Sequence, residues 1–228
     1  MSANENKLYI AGIPIQFPYK PYKAQFGIID RAIHAIENKQ NALLESPTGT
    51  GKTMAILCAV LGWQKKNKEN ENVKIYYTTR THSQLSQLVS ELRNTNYPVK
   101  SSCLASRVSY CIHENIRKEK GSIDQSCKIL KNNNRCSHYN QVDANMEQIL
   151  SSKSILDVED LTQYGKTVGA CPYYMAKKLG LKSDIIFAPY NYLLYPRIRK
   201  QAKLSVKDSI IIIDEAQFCC FALISVPK

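Results

Sequence analysis

Three things are scarce or missing in this chain. Acid is scarce: across 228 residues there are 19 Asp and Glu against 31 Lys and Arg, a formal net charge of +12. That imbalance argues against an acidic solvating segment. It favours a polyanionic partner such as nucleic acid, with plain solubility charge as the simpler alternative. Long apolar runs are missing: none approaches the ~18 residues of a membrane-spanning helix. The polar start, MSANENK, also lacks the apolar core of a secretion signal. An intracellular chain with reduced thiols and no membrane partner is therefore expected. Internal repeats are missing too, which excludes a solenoid.

What is present is globular: 44% apolar and 22% charged residues. At ~150 residues per domain the length allows one core plus an inserted lobe. Eight cysteines in a reducing compartment favour metal or cluster ligation, or simple burial, over disulfides. Charge is uneven along the chain. Arg107, Arg117, Lys118, Lys120, Lys128, Lys131 and Arg135 face only Glu114, Glu119 and Asp124, whereas Cys136 to Gly165 is acidic. The first half suits phosphates; two solvated faces of opposite sign are the plainer alternative.

Outside residues 100–180 the pattern alternates strand and helix. Phe26, Ile29, Ile33 and Ile36 predict a helix over 23–38. Ala42–Glu45 predicts a buried strand, 52–66 a helix and Val73–Thr79 a strand. Leu85, Leu88, Val89 and Leu92 predict a helix over 82–94. Asp184–Ala188 and Ser209–Ile213 predict two more strands. Such alternation predicts an α/β fold with a parallel sheet. Residues 101–180, with five cysteines (Cys103, Cys111, Cys127, Cys136 and Cys171), break the rhythm and are expected to be an insertion between 1–100 and 181–217.

Ser46-Pro47-Thr48-Gly49-Thr50-Gly51-Lys52-Thr53 stands between a predicted strand and a predicted helix. Glycines there let backbone N–H groups converge on phosphate oxygens at the positive end of a helix. Lys52 offers a point charge for the terminal phosphates and Thr53 a hydroxyl for Mg²⁺. Ile210 to Ile213, expected to be a buried strand, ends in Asp214-Glu215. In a phosphate-loop enzyme the first acid holds Mg²⁺ through water and the second acts as general base. Lys52, Asp214 and Glu215 are thus the candidate catalytic residues.

Several segments together resemble the iron–sulfur superfamily 2 DNA helicases, the xeroderma pigmentosum group D family. They are Phe17 to Gln25, Leu44 to Thr53, Tyr76 to Gln84, Ala170 to Tyr174 and Ala188 to Leu194. Within that family the motifs look most like the Fanconi anaemia group J branch. The resemblance implies a RecA-like motor lobe with an iron–sulfur insertion, ATP and Mg²⁺ as cofactors, and 5′→3′ unwinding of single-stranded or forked DNA. It also implies a nuclear role in DNA repair with protein partners that the sequence does not name. By the same resemblance Gln25 reads adenine, and Arg80, Thr81 and His82 lie along single-stranded DNA.

The family holds a [4Fe–4S] cluster with four cysteines. Cys111, Cys127, Cys136 and Cys171 match that set, leaving Cys103 over, and Cys58, Cys219 and Cys220 as core or incidental thiols. From the residues alone zinc is an equal rival, because Cys111-x-His113 and Cys136-x-His138 offer mixed sulfur and imidazole ligands. Tyrosines at 173–174 and 190–195 are suited either to stacking on bases or to core packing with a tethered hydroxyl.

The family motif ends Asp-Glu-Ala-His, and here it ends in Gln217. Residues 218–228 also depart from the family and are expected to be an aberrant tail on a truncated product. Two alternatives to a helicase portion stand: a non-hydrolysing nucleotide- or DNA-binding fragment, and a zinc-binding phosphate-loop protein.

Overall fold

The computed structural model describes residues 7–68, 73–118, 121–152 and 154–218. The chain divides into two compact units. The first comprises residues up to Ile75, with Ser90–Pro98 and Asp208–Ile210; the second comprises Tyr76–Val89, Val99–Lys207 and the residues from Ile211. The expected tail at 219–228, with Cys219 and Cys220, lies outside the described residues.

The first unit begins with an antiparallel hairpin, β1 (Lys7–Ile10) and β2 (Ile13–Gln16), in which Leu8 faces Ile15. Ala11 and Gly12 turn the chain with φ of 48° and 72°. Positive φ at both central residues gives the twist that a two-residue hairpin turn needs. Alternate residues Ile13, Ile15 and Phe17 are buried, so one face of the hairpin joins the core. Two helices follow, α1 (Lys23–Glu37) and α2 (Lys52–Asn67), packed on each other, with α2 also packed on β2. The buried stripe of α1 runs through Gln25, Ile28, Ile29, Ala32 and Ile33. It is rotated from the predicted one, so Phe26 is 36% exposed. Helix α2 is buried on all sides from Met54 to Gln64, as expected for a helix with no polar face. Gly62 lets it approach the hairpin: a Cβ there would lie 2.6 Å from Ile15 Cδ1 and 2.9 Å from the Tyr97 hydroxyl.

The strand predicted at Ala42–Glu45 does not form. These residues have no ladder partner, and Leu43 is 80% exposed. Apolar composition favours a strand only where a neighbouring strand takes up its N–H and C=O groups.

The remaining elements are β3 (Lys74–Thr79), α3 (His82–Arg93), β4 (Ser101–Cys103), α4 (Arg107–Tyr110), α5 (Glu114–Lys118), α6 (Ile123–Asn132), α7 (Ser137–Asn140), α8 (Val142–Ser151), α9 (Val158–Val168), α10 (Pro172–Lys182), β5 (Ile185–Pro189), α11 (Asn191–Leu194), α12 (Pro196–Ala202) and β6 (Ser209–Ile213). A 3₁₀ turn at Ala216–Phe218 follows. The fold is α/β, with a four-stranded sheet in the order β4-β5-β3-β6. Strand β4 pairs with β5 in parallel, Ser102 opposite Ile186. The backbone N–H of Tyr190, just past β5, bonds Thr79 O, and that of Asp214, just past β6, bonds Thr78 O. The C-terminal ends of β5, β3 and β6 therefore lie side by side, as parallel strands require.

Two features differ from expectation. Strand β4 lies inside the segment expected to be wholly inserted, and the run of helices begins only at Arg107. Strand β6 is an edge strand: Ile211 and Ile213 point the same way and are 44% and 38% exposed. The β-branched composition of this strand was legible, but its place in the sheet depends on which strands flank it.

Candidate functional site

Three groups of candidate residues take shape. The first is the phosphate loop. Gly49 and Gly51 hold φ of 80° and 70°, a region costly for other residues. Gly51 is the N-cap of α2 and offers no side chain to its first N–H groups. Those donors open a 16-residue helix and form a ready anion site. Inside the loop Ser46 Oγ lies 2.5 Å from Thr50 Oγ1, which donates to Pro47 O at 2.9 Å. Lys52 and Thr53 are half-buried at the start of α2.

Gln25 is fully buried against this loop. Its Oε1 accepts from Tyr22 N at 2.8 Å, and its Nε2 donates to Gly51 O at 3.3 Å. The amide has one further donor and one further lone pair, but in this state it braces the loop rather than facing outward.

The second group lies at the C-terminal edge of the sheet. Arg80, Thr81 and His82 are exposed at the β3–α3 junction. Thr81 and Gln84 cap α3 reciprocally: Gln84 N donates to Thr81 Oγ1 at 3.3 Å and Thr81 N to Gln84 Oε1 at 3.1 Å. His82 Nε2 lies 3.3 Å from Ser109 Oγ on α4. Beside them the Tyr190 hydroxyl donates to Asp214 O and, at 3.3 Å, to Glu215 O. Glu215 N donates to Asp214 Oδ1 at 3.1 Å, and the Gln217 amide donates to the Glu215 carboxylate. Glu215 itself sits at φ 53°. The paired acids therefore occupy a turn pinned by Tyr190, just past β5, and by Gln217.

The third group is a pocket lined by Cys111, Cys127, Cys136 and Cys171 together with His113, His138, Lys131, Tyr139, Tyr174, Ile112 and Ile116. Helix ends place three of the sulfurs. Cys136 is the N-cap of α7 and Cys171 the N-cap of α10, each with extended backbone. Neither sulfur makes a capping hydrogen bond, but each stands beside the first N–H groups of its helix. Burial pushes the Cys136 thiol up, opposed by the backbone N–H groups of Tyr139 and His138. Burial pushes Cys171 up to about 12, opposed by those of Tyr174 and Tyr173. Cys111 follows α4 and is likewise raised by burial, opposed by the N–H of His113. Cys127 lies on α6. Cys103 and Cys58 are buried outside the pocket, and burial pushes each up to about 12. Among the described residues no three His, Cys, Asp or Glu side chains close on a point that would hold a single metal ion. The donor set, four buried thiols converging on one pocket, nonetheless fits a multi-iron core.

Around the pocket, cations and tyrosines interleave. The guanidinium of Arg107 stands 4.3 Å from the Tyr173 ring centre and donates to Asp124 Oδ1 at 2.9 Å. Its side chain is only 10% exposed. Lys131 lies 5.3 Å from the Tyr139 ring and 5.8 Å from that of Tyr174. Burial, and then Arg107, Lys203 and Lys131, lower the ammonium of Lys177 below its usual value. Of the basic residues expected to face phosphates, Arg107 is instead a buried brace and Arg117 donates to Cys111 O at 2.9 Å. Lys118 pairs with Glu114 at 3.6 Å, and Lys128 and Arg135 are exposed. Lys120 lies outside the described residues.

Three of the tyrosines at 173–174 and 190–195 take the packing alternative. Tyr173, Tyr190 and Tyr192 are buried, and the Tyr192 hydroxyl donates to Ala105 O at 2.6 Å. Sequence reasoning did not assign Tyr190 to the acidic turn. Its position directly after an apolar strand in the sequence Ala188-Pro189-Tyr190 is the signal that could have placed it at the sheet edge.

The DEAD_2 family model matches residues 77–223. Over 91% of its length the chain is 36% identical to a regulator of telomere elongation helicase 1 homolog of Anopheles gambiae, and over 92% it is 34% identical to the Homo sapiens regulator of telomere elongation helicase 1. It spans 25% and 20% of those proteins. It is also similar to a solved structure of "XPD_Helicase", with a TM-score of 0.58 and 23% identity, over 87% of this chain and 33% of that one. "Truncated XPD" gives a TM-score of 0.53 at 22% identity, over 83% of this chain and 52% of that one. At these identities the solved structures speak for the fold. The comparisons do not single out the Fanconi anaemia group J branch. No described helix is long and apolar enough to cross a membrane.

Proposed function

Because the chain belongs to the DEAD_2 family of XPD-like superfamily 2 helicases, we propose that it is the ATP-binding portion of a 5′→3′ DNA helicase that carries a [4Fe–4S] cluster and serves DNA repair in the nucleus. The observation that carries this is the convergence of Cys111, Cys127, Cys136 and Cys171 on one pocket. The same chain holds a glycine loop with positive φ at the head of an uncapped helix. Four thiolates are the ligand number and type that a [4Fe–4S] core takes, and Cys111, Cys127, Cys136 and Cys171 line one pocket.

The chemistry follows from the side chains. Backbone N–H groups at the start of α2 and the Lys52 ammonium hold the phosphates. Thr53 and Asp214 would each offer an oxygen ligand to Mg²⁺. Glu215 orients the attacking water, and its turn is fixed by Tyr190 and Gln217. A cluster held by the four cysteines would supply a one-electron centre and a covalent tie between four chain segments. Cys111, Cys127, Cys136 and Cys171 would hold it, with Tyr139 and Tyr174 lining the same pocket, and Arg107 stacks on Tyr173 of α10. The exposed Arg80, Thr81 and His82 follow the backbone of a single strand, aided by Lys128 and Arg135.

The relatives are four to five times longer than the stretch this chain spans. Superfamily 2 motors close ATP between two lobes, and an arginine from the second lobe is worth about 10³–10⁵ in rate. The chain alone therefore binds nucleotide and single-stranded DNA but turns ATP over slowly or not at all. The test is ATP binding by the full chain and by Lys52→Ala. Binding lost in the variant supports the loop assignment, whereas equal affinity refutes it.

A further inference from the structure

Two histidines line the cysteine pocket, and they are held differently. His138 is anchored: its Nδ1 lies 2.9 Å from Gly169 O, and its own carbonyl accepts from Cys171 N at 2.8 Å. A carbonyl can only accept, so Nδ1 of His138 carries the hydrogen. The ring of His113 meets that of His138 edge-on, with centres 5.9 Å apart and planes at 86°. His113 Nδ1 is buried, yet it has no hydrogen-bond partner among the described residues. A buried ring nitrogen without a partner is costly, and such an atom calls for a reason.

That reason lies in the pocket. The backbone N–H of His113 opposes the upward push of burial on the Cys111 thiol. Its side chain and the four cysteines line the same pocket. Sulfurs of an iron–sulfur core are acceptors, and donors aimed at them raise the reduction potential by stabilising the more negative reduced state. An imidazole with Nδ1–H inside this pocket is such a donor. It needs no place among the ligands, because four thiolates already complete the set.

The geometry points to His113 as a positioning residue that donates its Nδ1–H to a sulfur of the bound core and holds its reduction potential up. This rests on the cluster assignment above. His138, whose Nδ1–H is committed to Gly169, does not share the role.

The experiment uses the full chain reconstituted anaerobically with iron and sulfide, and compares it with His113→Phe, His113→Asn and His138→Phe. Iron and acid-labile sulfide per chain are measured first. The midpoint potential then follows from an EPR-monitored titration with dithionite and mediators. The expected result is full loading of His113→Phe with a more negative midpoint, partial return toward the parent value in His113→Asn, which keeps an N–H, and a smaller shift in His138→Phe. A fully loaded His113→Phe with the parent midpoint overturns the proposal and leaves the cluster assignment intact. Loss of iron from His113→Phe while His113→Asn stays loaded also overturns it, because His113 would then be needed to hold the cluster. A parent chain that takes up no iron overturns the cluster assignment, and this proposal falls with it.

Discussion

The side-chain amide of Gln25 reaches 3.3 Å across to the carbonyl of Gly51, the residue that opens helix α2. A Cβ on Gly51 would lie 2.3 Å from Gln25 Nε2, and the residue also holds φ +70°. Gly49 holds a similar φ of +80° but has nothing within 4 Å. The two glycines therefore separate backbone strain from the Gln25 contact. Gly49→Ala should cost about 1–3 kcal/mol, the usual strain of a non-glycine in that region. Gly51→Ala should cost more and should also weaken ATP binding, because the brace must move. Urea unfolding and nucleotide titration of the two variants check this; equal costs would remove the brace.

Arg107 is the mechanical support of the cysteine pocket. It stacks on Tyr173, pairs with Asp124 and is almost covered. Arg107→Ala should lower stability by about 2 kcal/mol, from a lost cation–π contact and charge-assisted hydrogen bond. Arg107→Lys should recover only part, because an ammonium cannot stack as a planar fork does. Denaturant midpoints of the three proteins decide the matter.

Alkaline pH should destabilise the fold. Burial pushes the thiols of Cys58 and Cys103 up to about 12 from 9.0, and it pushes the hydroxyls of Tyr97 and Tyr110 upward as well. The unfolded chain ionises these groups first. Their stabilisation is full below about pH 9 and is lost as pH rises from there toward 12, by up to about 1.4 kcal/mol per thiol and pH unit. Melting temperature measured from pH 8 to 11 should fall, and Cys58→Ala should fall less steeply. A flat profile would contradict the burial of these groups.

DNA affinity should fall as salt rises. Lys128 and Arg135 are exposed. Replacing either with Ala should lower the slope of log affinity against log salt by about 0.7, the share of one phosphate contact on a single strand. Stability should hardly change. Salt-independent binding would remove the phosphate contacts from the account.

The sequence marks some elements more plainly than others. Helix α3 was legible, because its apolar residues make a periodic signal; Leu85, Leu88, Val89 and Leu92 are all buried as predicted. The hairpin was not foreseen, although Ile13, Ile15 and Phe17 alternate around Ala11-Gly12; its strands are only four residues each. Ala42–Glu45 and β6 share an apolar composition, yet one is no strand and the other lies at an edge. Composition does not say which segment finds a ladder partner. In the candidate site the residue types were readable, but their commitments were not. Nothing in the sequence says that Arg107 turns inward while Lys128 stays out, or that Tyr190 reaches the carbonyls of Asp214 and Glu215. Those outcomes are set by packing among segments far apart in the chain.

Metal analysis of the purified, anaerobically reconstituted chain tests the central assignment most directly. Inductively coupled plasma and sulfide assays should give about four irons and four sulfides per chain. That content should collapse in Cys127→Ser and persist in Cys103→Ser, whose side chain lies outside the pocket. One zinc and no sulfide, or loss of iron in Cys103→Ser with retention in Cys127→Ser, would contradict it.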